Sequence, residues 1–147
     1  MNINGRTPTA VVTGASSGIG KAAACALAAA GWRIIALGRD PGRCAAAKLA
    51  ISAASSGRPV DMVLADLSLM TDAARAAQEV AALTGHVDVL INNAGGVASR
   101  RVVTAEGNEA TFAGNHLGPF LLTNRLLPLL RAARARVKRM LASLALV

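Results

Sequence analysis

A glycine-rich segment near the amino terminus is the first feature with chemical meaning. It reads Thr-Gly-Ala-Ser-Ser-Gly-Ile-Gly over residues 13–20 and directly follows a short apolar run. Glycine allows a tight turn, close approach of the backbone to a pyrophosphate, and close packing of a helix on a strand. A helix beginning there presents free N–H groups and the positive end of its dipole. The segment therefore predicts a phosphate-binding turn, with candidate residues Thr13, Gly14, Ser16, Ser17, Gly18, Ile19 and Gly20.

Polar residues also follow three later apolar runs. Arg39 comes after the second run, Asp66-Leu67 after the third, and Asn92-Asn93-Ala94-Gly95 after the fourth. The carboxyl ends of parallel strands meet at one edge of a sheet, where open α/β sheets bind their ligands. Arg39 is a candidate for nucleotide binding by its charge, while Asp66, Leu67, Asn92, Asn93, Ala94 and Gly95 end their strands at the same edge of the predicted sheet.

The end of the second run bears on which dinucleotide is bound. An acid there would accept hydrogen bonds from both ribose hydroxyls and repel a 2′-phosphate. Gly38 stands at that place, and Arg39 beside it can pair with a phosphate. This favours NADP(H) over NAD(H). The preference disappears if Arg39 only faces water or if the neighbouring Asp40 offsets its charge.

The elements that must position these residues follow from the hydrophobic pattern. Apolar runs alternate with alanine-rich helical stretches, which is typical of βαβ units. The pattern predicts strands at 9–13, 33–37, 60–65, 87–91 and 137–142, and helices at 19–30, 41–54 and 68–83. A leucine-striped helix lies between the last two strands. The predicted fold class is α/β, a Rossmann-type doubly wound parallel sheet of about five strands.

Three local details accompany this prediction. Ile19, Ala23 and Leu27 are expected to share the buried face of the first helix, which Gly31 should end. Ser68 is the expected N-cap of the third helix. The whole chain, 1–147, is expected to form one domain that is incomplete at its carboxyl end.

Composition excludes several function classes. An apolar fraction of 53% supports a packed core, and no apolar run approaches the roughly 20 residues that span a bilayer. Cys25 and Cys44 lack metal-ligand spacing, so we expect reduced thiols, no metal and a cytoplasmic location. The net charge is +8, and basic residues crowd the end of the chain. Because the aromatic residues that stack on bases are scarce, we do not expect nucleic-acid binding.

These motifs, in this order, resemble the short-chain dehydrogenase/reductase family over residues 9 to about 145. Asn115-His116-Leu117-Gly118 resembles its N-H-L-G segment, and Ser143 lies where the family has a serine. The resemblance implies an NAD(P)-dependent oxidoreductase acting on an alcohol or carbonyl, with Asn115 and Ser143 as catalytic residues. It also implies Asp66 against the adenine and the segment 92–95 beside the cofactor. Arg39-Asp40 followed by Cys44, and residues 115–124, look most like the retinol-dehydrogenase-like branch.

The resemblance also implies a tyrosine that transfers a proton and a lysine that lowers its pKa. The sequence contains no tyrosine, and Lys138 precedes Ser143, so it does not fit the lysine's place. His86 and His116 are expected to be structural. The prediction is thus a truncated NADP(H)-dependent oxidoreductase that is inactive alone, with marginal stability or self-association as a homo-oligomer. The alternatives are a non-catalytic nucleotide-binding fragment or regulator, and a basic interaction protein that uses its tail.

Overall fold

Five parallel strands form one sheet in the computed structural model, which describes residues 6–133 and 136–139. The strands are β1 (Thr9–Thr13), β2 (Arg33–Gly38), β3 (Val60–Leu64), β4 (Val89–Asn92) and β5 (Arg136–Arg139). Their order across the sheet is β3-β2-β1-β4-β5, so the direction of winding reverses between β1 and β4. The predicted Rossmann-type doubly wound sheet of about five strands is confirmed.

Helices connect the strands and cover both faces of the sheet. They are α1 (Gly18–Ala29), α2 (Pro41–Ala54), α3 (Met70–Leu83), α4 (Ala110–Phe112) and α5 (Gly118–Ala132), with a π-helical segment at Ala113–Leu117 between the last two. Asp40 and Pro41 begin α2 as an N-cap and a first-turn proline. Gly31 follows α1 with a positive φ of 84°, as expected for a helix-ending glycine.

The core consists of two clusters, one on each face of the sheet. α3 and α5 pack on one face, where Leu122, Leu126 and Leu130 of the predicted leucine stripe are buried. α1 and α2 pack on the other, mainly through alanines and Ile51. Because both faces are covered, β1 is buried along its whole length, as a central parallel strand should be.

The predicted buried face of α1 is wrong by one residue. Gly20, Ala24 and Ala28 face the sheet, whereas Ile19 is 57% exposed. The small residues face inward because the glycine-rich turn brings the helix very close to the strand. A bulky residue on that face would hold the helix away from the sheet.

Ser68 is not the N-cap of the third helix, which corrects a second prediction. α3 begins at Met70, and the Ser68 hydroxyl donates to the Asp66 carboxylate at 2.7 Å. The free N–H groups of Met70 and Thr71 instead donate to the carboxylate of Glu106, at 2.5 and 3.0 Å. Glu106 is 36 residues from Met70 in the sequence, so the local pattern at the start of the helix does not predict this cap.

The boundaries of β2, β3, β4 and β5 differ from the prediction by one or two residues within the described part of the chain. β4 begins at Val89 rather than Val87, because the Val87 N–H donates to the Leu129 carbonyl of α5 and not to a strand. The predicted fifth strand overlaps β5 at residues 137–139, and its remainder, 140–142, lies outside the described residues. In the described part of the chain, none of the helices has the length and apolarity needed to cross a bilayer.

Candidate functional site

A cleft of about 770 Å³ opens at the carboxyl ends of β1 to β4, a volume typical of sites for small molecules and cofactors. It lies where the winding of the sheet reverses, which is the usual ligand position in such folds. The predicted site residues that line it are Gly14, Ser16, Ser17, Gly18, Ile19, Arg39, Asp66, Leu67, Asn93, Ala94, Gly95 and Asn115.

The glycine-rich turn after β1 forms the floor of the cleft and tolerates no side chain at two positions. Gly14 has φ +66°, and a Cβ there would lie 2.8 Å from the Cα of Ala94. A Cβ on Gly20 would lie 2.4 Å from the Gly14 carbonyl oxygen. These distances are too short for real atoms, so the turn, α1 and the segment after β4 approach as closely as a backbone allows.

Thr13 and Asn93 hold that turn in place. The Thr13 hydroxyl oxygen accepts hydrogen bonds from the N–H groups of Asn93 at 3.0 Å and Ala94 at 2.9 Å. The Asn93 side-chain amide donates to the carbonyl oxygens of Thr13 at 3.0 Å and Gly14 at 3.4 Å. Thr13 and Gly20 therefore stabilise the cleft from beneath rather than lining it. Asn92 does so too, since its amide donates to the Thr123 hydroxyl of α5 at 3.0 Å.

A basic rim follows β2. Arg39 projects into solvent with 77% of its side chain exposed, and its Nη1 lies 3.8 Å from an Asp66 carboxylate oxygen. Asp40 also borders the cleft, and its carboxylate accepts the Arg43 N–H at 2.7 Å and caps α2. Arg43 also lines the cleft, although it is not among the predicted site residues. Its position in the first turn of the helix after β2 was the available signal.

Asp66 lies in a closed hydrogen-bonded turn after β3. Its carboxylate accepts the Ser68 N–H at 2.9 Å and the Ser68 hydroxyl. Its own N–H donates to Asp72 at 2.9 Å. That bond, together with Arg75, holds the pKa of Asp72 below its ordinary value. The turn is therefore fixed at both ends, which sets the position of Asp66 at the wall of the cleft.

Asn115 lies in the π-helical segment, a geometry found frequently at functional sites. The oxygen and the nitrogen of its side-chain amide both form hydrogen bonds with the backbone of Gly96. The Asn115 oxygen accepts the Gly96 N–H at 2.9 Å, and the Asn115 nitrogen donates to the Gly96 carbonyl at 2.9 Å. Asn115 thus fixes the loop that closes one side of the cleft. Ser143, the other predicted catalytic residue, lies outside the described residues.

The two histidines lie away from the cleft. His116 stacks between Phe112 and Phe120, with ring-centroid distances of 5.2 and 6.3 Å. His86 lies near the amino end of β1, opposite the cleft, where its Nε2 is 3.2 Å from the Thr9 hydroxyl. In the described part of the chain, no group of three His, Cys, Asp or Glu side chains could hold a metal ion.

The fold and the cleft define a Rossmann-type α/β protein with its ligand site at the reversal of the sheet. A family model described as short chain dehydrogenase matches residues 8–138. The chain belongs to the short chain dehydrogenase family, as its motifs predict.

Individual relatives agree with this assignment. The chain is 40% identical to retinol dehydrogenase 13 of Homo sapiens over 125 residues, covering 85% of this chain and 38% of the relative. It is 37% identical to the putative daunorubicin C-13 ketoreductase DnrU of Streptomyces sp. (strain C5), covering 80% of this chain and 41% of the relative. The chain thus spans about two fifths of the length of these curated relatives.

Solved structures with bound nucleotide are also similar. The Pseudomonas aeruginosa RhlG/NADP active-site complex has a TM-score of 0.76 and 35% identity, covering 90% of this chain and 53% of that one. A metagenomic short-chain oxidoreductase in complex with NADP has a TM-score of 0.77 and 34% identity, covering 90% of this chain and 61% of that one.

Proposed function

We propose that the cleft binds NADP(H) and that the chain is the nucleotide-binding part of an oxidoreductase acting on an alcohol or carbonyl. The observation that carries the proposal is the turn at Gly14 and Gly20, where the backbone of three segments meets without room for a Cβ. A pyrophosphate needs this close backbone approach together with the N–H groups of a helix that begins beside it. Ser16, Ser17 and Gly18 line the cleft at that helix end.

The basic rim supports NADP(H) over NAD(H). Arg39 and Arg43 both border the cleft, while Gly38 offers no carboxylate to the ribose. Asp40 borders the cleft as well and offsets part of this positive charge, but its carboxylate is held at the start of α2 by the Arg43 N–H. A charge-assisted pair with a 2′-phosphate contributes about 1.5–3 kcal/mol, roughly 10- to 150-fold in affinity.

The remaining residues orient the ligands. A bound nicotinamide ring supplies the hydride exchange by which the family oxidises alcohols or reduces carbonyls. Asn115 holds the loop at Gly96 against the cleft, and the carboxylate of Asp66 lies at the wall where the resemblance places the adenine. The sequence contains no tyrosine, so we expect this chain alone to bind the nucleotide without turnover. A cytoplasmic location, self-association and a single domain over 1–147 stay predictions.

The test is a fluorescence titration of the purified chain with NADPH and with NADH. We expect NADPH to bind roughly 10- to 150-fold more tightly, and R39A to remove most of that difference. R58A is the matched control, because Arg58 lies at the amino end of β3, away from the cleft. Equal affinities would overturn the NADP(H) preference, and no binding of either nucleotide would overturn the proposed function.

The main alternative, a basic interaction protein, makes a different prediction. Binding through unspecific charge weakens steeply with salt and does not distinguish NADPH from other polyanions. We therefore expect NADPH to bind more tightly than tripolyphosphate at the same salt concentration, and R39A to weaken only the binding of NADPH, if the cleft is the site.

A further inference from the structure

Gly38, the last residue of β2, is enclosed by side chains. A Cβ at this position would lie 2.5 Å from the Cys44 sulfur, 3.0 Å from the Ser16 Cβ and 3.3 Å from the Ser16 hydroxyl oxygen. The first distance is shorter than real Cβ atoms allow. Position 38 also lines the cleft at the point where the proposed ribose site lies. The space next to the ribose is therefore already taken by the first turn of α2.

The backbone around Gly38 cannot shift easily to make room. Its carbonyl oxygen accepts the Ala65 N–H at 2.9 Å, and the preceding carbonyl, of Leu37, accepts the Ala15 N–H at 3.0 Å. α2 is fixed as well, because the Asp40 carboxylate caps it through the Arg43 N–H. An added side chain at position 38 would therefore have to displace the Cys44 sulfur itself.

Cys44 fills this space as a neutral, apolar group. Its side chain is only 1% exposed. Burial, and to a lesser extent the nearby Asp40, raises the pKa of its thiol. A buried, protonated thiol is a poor nucleophile. Cys44 therefore contributes by filling the space between α2 and the end of β2.

We propose that Cys44 is a specificity-determining residue of the nucleotide site, because its sulfur occupies the space that an acid at position 38 would need. The inference rests on the proposed function. In the described structure, the pair Gly38 and Cys44 keeps a ribose-binding carboxylate out, while Arg39 and Arg43 remain at the rim to receive a phosphate. A change of preference toward NAD(H) thus requires two substitutions, one at position 38 and one at position 44.

The first experiment compares wild type, G38D, and the double variant G38D/C44A by titration with NADH and NADPH. We expect G38D to unfold at lower urea concentration and to gain no affinity for NADH. The double variant should be more stable than G38D and bind NADH at least about tenfold more tightly, a gain typical of one well-placed charged hydrogen bond. If G38D alone binds NADH as tightly as the double variant, the proposal is wrong.

A second experiment needs no nucleotide and remains informative if G38D fails to fold. G38A adds only a Cβ. We expect it to lower the free energy of unfolding strongly when Cys44 is present and only slightly when Cys44 is replaced by alanine, so the effects of G38A and C44A should be non-additive. C25A is the matched control, since Cys25 lies on α1 and does not contact position 38, and G38A/C25A should be additive. Additive effects for G38A and C44A would overturn the steric argument.

The outcomes separate this inference from the proposed function. If wild type binds neither nucleotide, the proposed function fails and the specificity role fails with it. If wild type prefers NADPH and positions 38 and 44 do not couple in either experiment, only the role of Cys44 is wrong.

Discussion

Thr13 illustrates how a single hydroxyl group can define the shape of a binding turn. Its oxygen accepts two backbone N–H groups, from Asn93 and Ala94, and its proton points toward the Ile91 carbonyl at 3.4 Å. The side chain is fully buried at the end of β1. β4 has ended at Asn92, so neither N–H continues the ladder of the sheet, although the Asn93 N–H also donates to the Ile91 carbonyl at 3.1 Å. The hydroxyl thus replaces a sheet partner at the place where the cleft opens.

We expect T13V to destabilise the protein by about 1–3 kcal/mol, because valine keeps the shape but removes the acceptor of the Ala94 N–H. T13S is the matched control. It keeps the hydroxyl and loses one methyl group, at a cost of up to about 0.8 kcal/mol. Urea unfolding of the three proteins measures the difference. If T13S is less stable than T13V, methyl packing rather than the hydroxyl holds the turn.

The residues that the sequence predicts for the site divide into those that line the cleft and those that support it. Motif spacing places both kinds together and does not tell them apart. Thr13, Gly20 and Asn92 do not line the cleft but pack or hydrogen-bond beneath it. Arg43 was missed for a related reason. Its side chain reaches the rim from a neighbouring helix, and no motif marks that position.

At the level of whole elements, the strands were easier to predict than the helix faces. Strands buried on both sides are continuous apolar runs, so β1 and β2 are evident in the sequence. α1 was harder, because its buried face consists of Gly20, Ala24 and Ala28 while the larger Ile19 faces solvent. Close packing on the sheet selects small residues there, which reverses the usual rule that large apolar residues are buried.

The start of α3 depends on a contact between distant elements. The Glu106 carboxylate accepts hydrogen bonds from the Thr71 hydroxyl and from the N–H groups of Thr71 and Met70. The same loop carries an antiparallel bridge between Val103 and Glu109. Glu106 therefore attaches the loop between β4 and α4 to the start of α3.

This contact should make the protein less stable in acid. Bonds from the Thr71 hydroxyl and from the two N–H groups hold the pKa of Glu106 below its ordinary value. A lowered folded-state pKa contributes stability above the unfolded-state pKa, and the contribution is lost as the pH falls through the folded-state pKa. We expect E106Q to unfold at lower temperature than wild type near neutral pH. The two melting temperatures should converge as the pH falls through the lowered folded-state pKa of Glu106, below which the wild-type carboxyl is itself protonated.

Melting temperatures of wild type and E106Q from neutral pH into acid measure the effect. Convergence in acid is the internal control, because a protonated glutamate and a glutamine cap the helix in similar ways. A constant difference at every pH would mean that the Glu106 charge has no part in holding α3 to the loop.

At the scale of the whole molecule, the cleft combines segments that follow four different strands. The turn after β1, the rim after β2, the Asp66 turn after β3 and the loop after β4 all reach it. The two core clusters stabilise the sheet, and hydrogen bonds join these segments around the cleft. Thr13 and Asn93 link the turn after β1 to the segment after β4, and the Ala15 and Ala65 N–H groups donate to the carbonyls at the end of β2. A ligand that contacts all four can bind only the folded chain.

Nucleotide binding should therefore stabilise the whole fold. A ligand that binds only the native state adds RT ln(1 + [L]/Kd), which is about 2.7 kcal/mol at 100 times Kd and about 1.4 kcal/mol more for each further tenfold. We expect the urea midpoint of the chain to rise steadily with NADPH, and to rise much less with NADH at equal concentration. Because the net charge is +8, tripolyphosphate is the necessary control for unspecific anion binding. If tripolyphosphate stabilises the chain as much as NADPH does, and salt removes both effects, charge rather than the cleft is responsible.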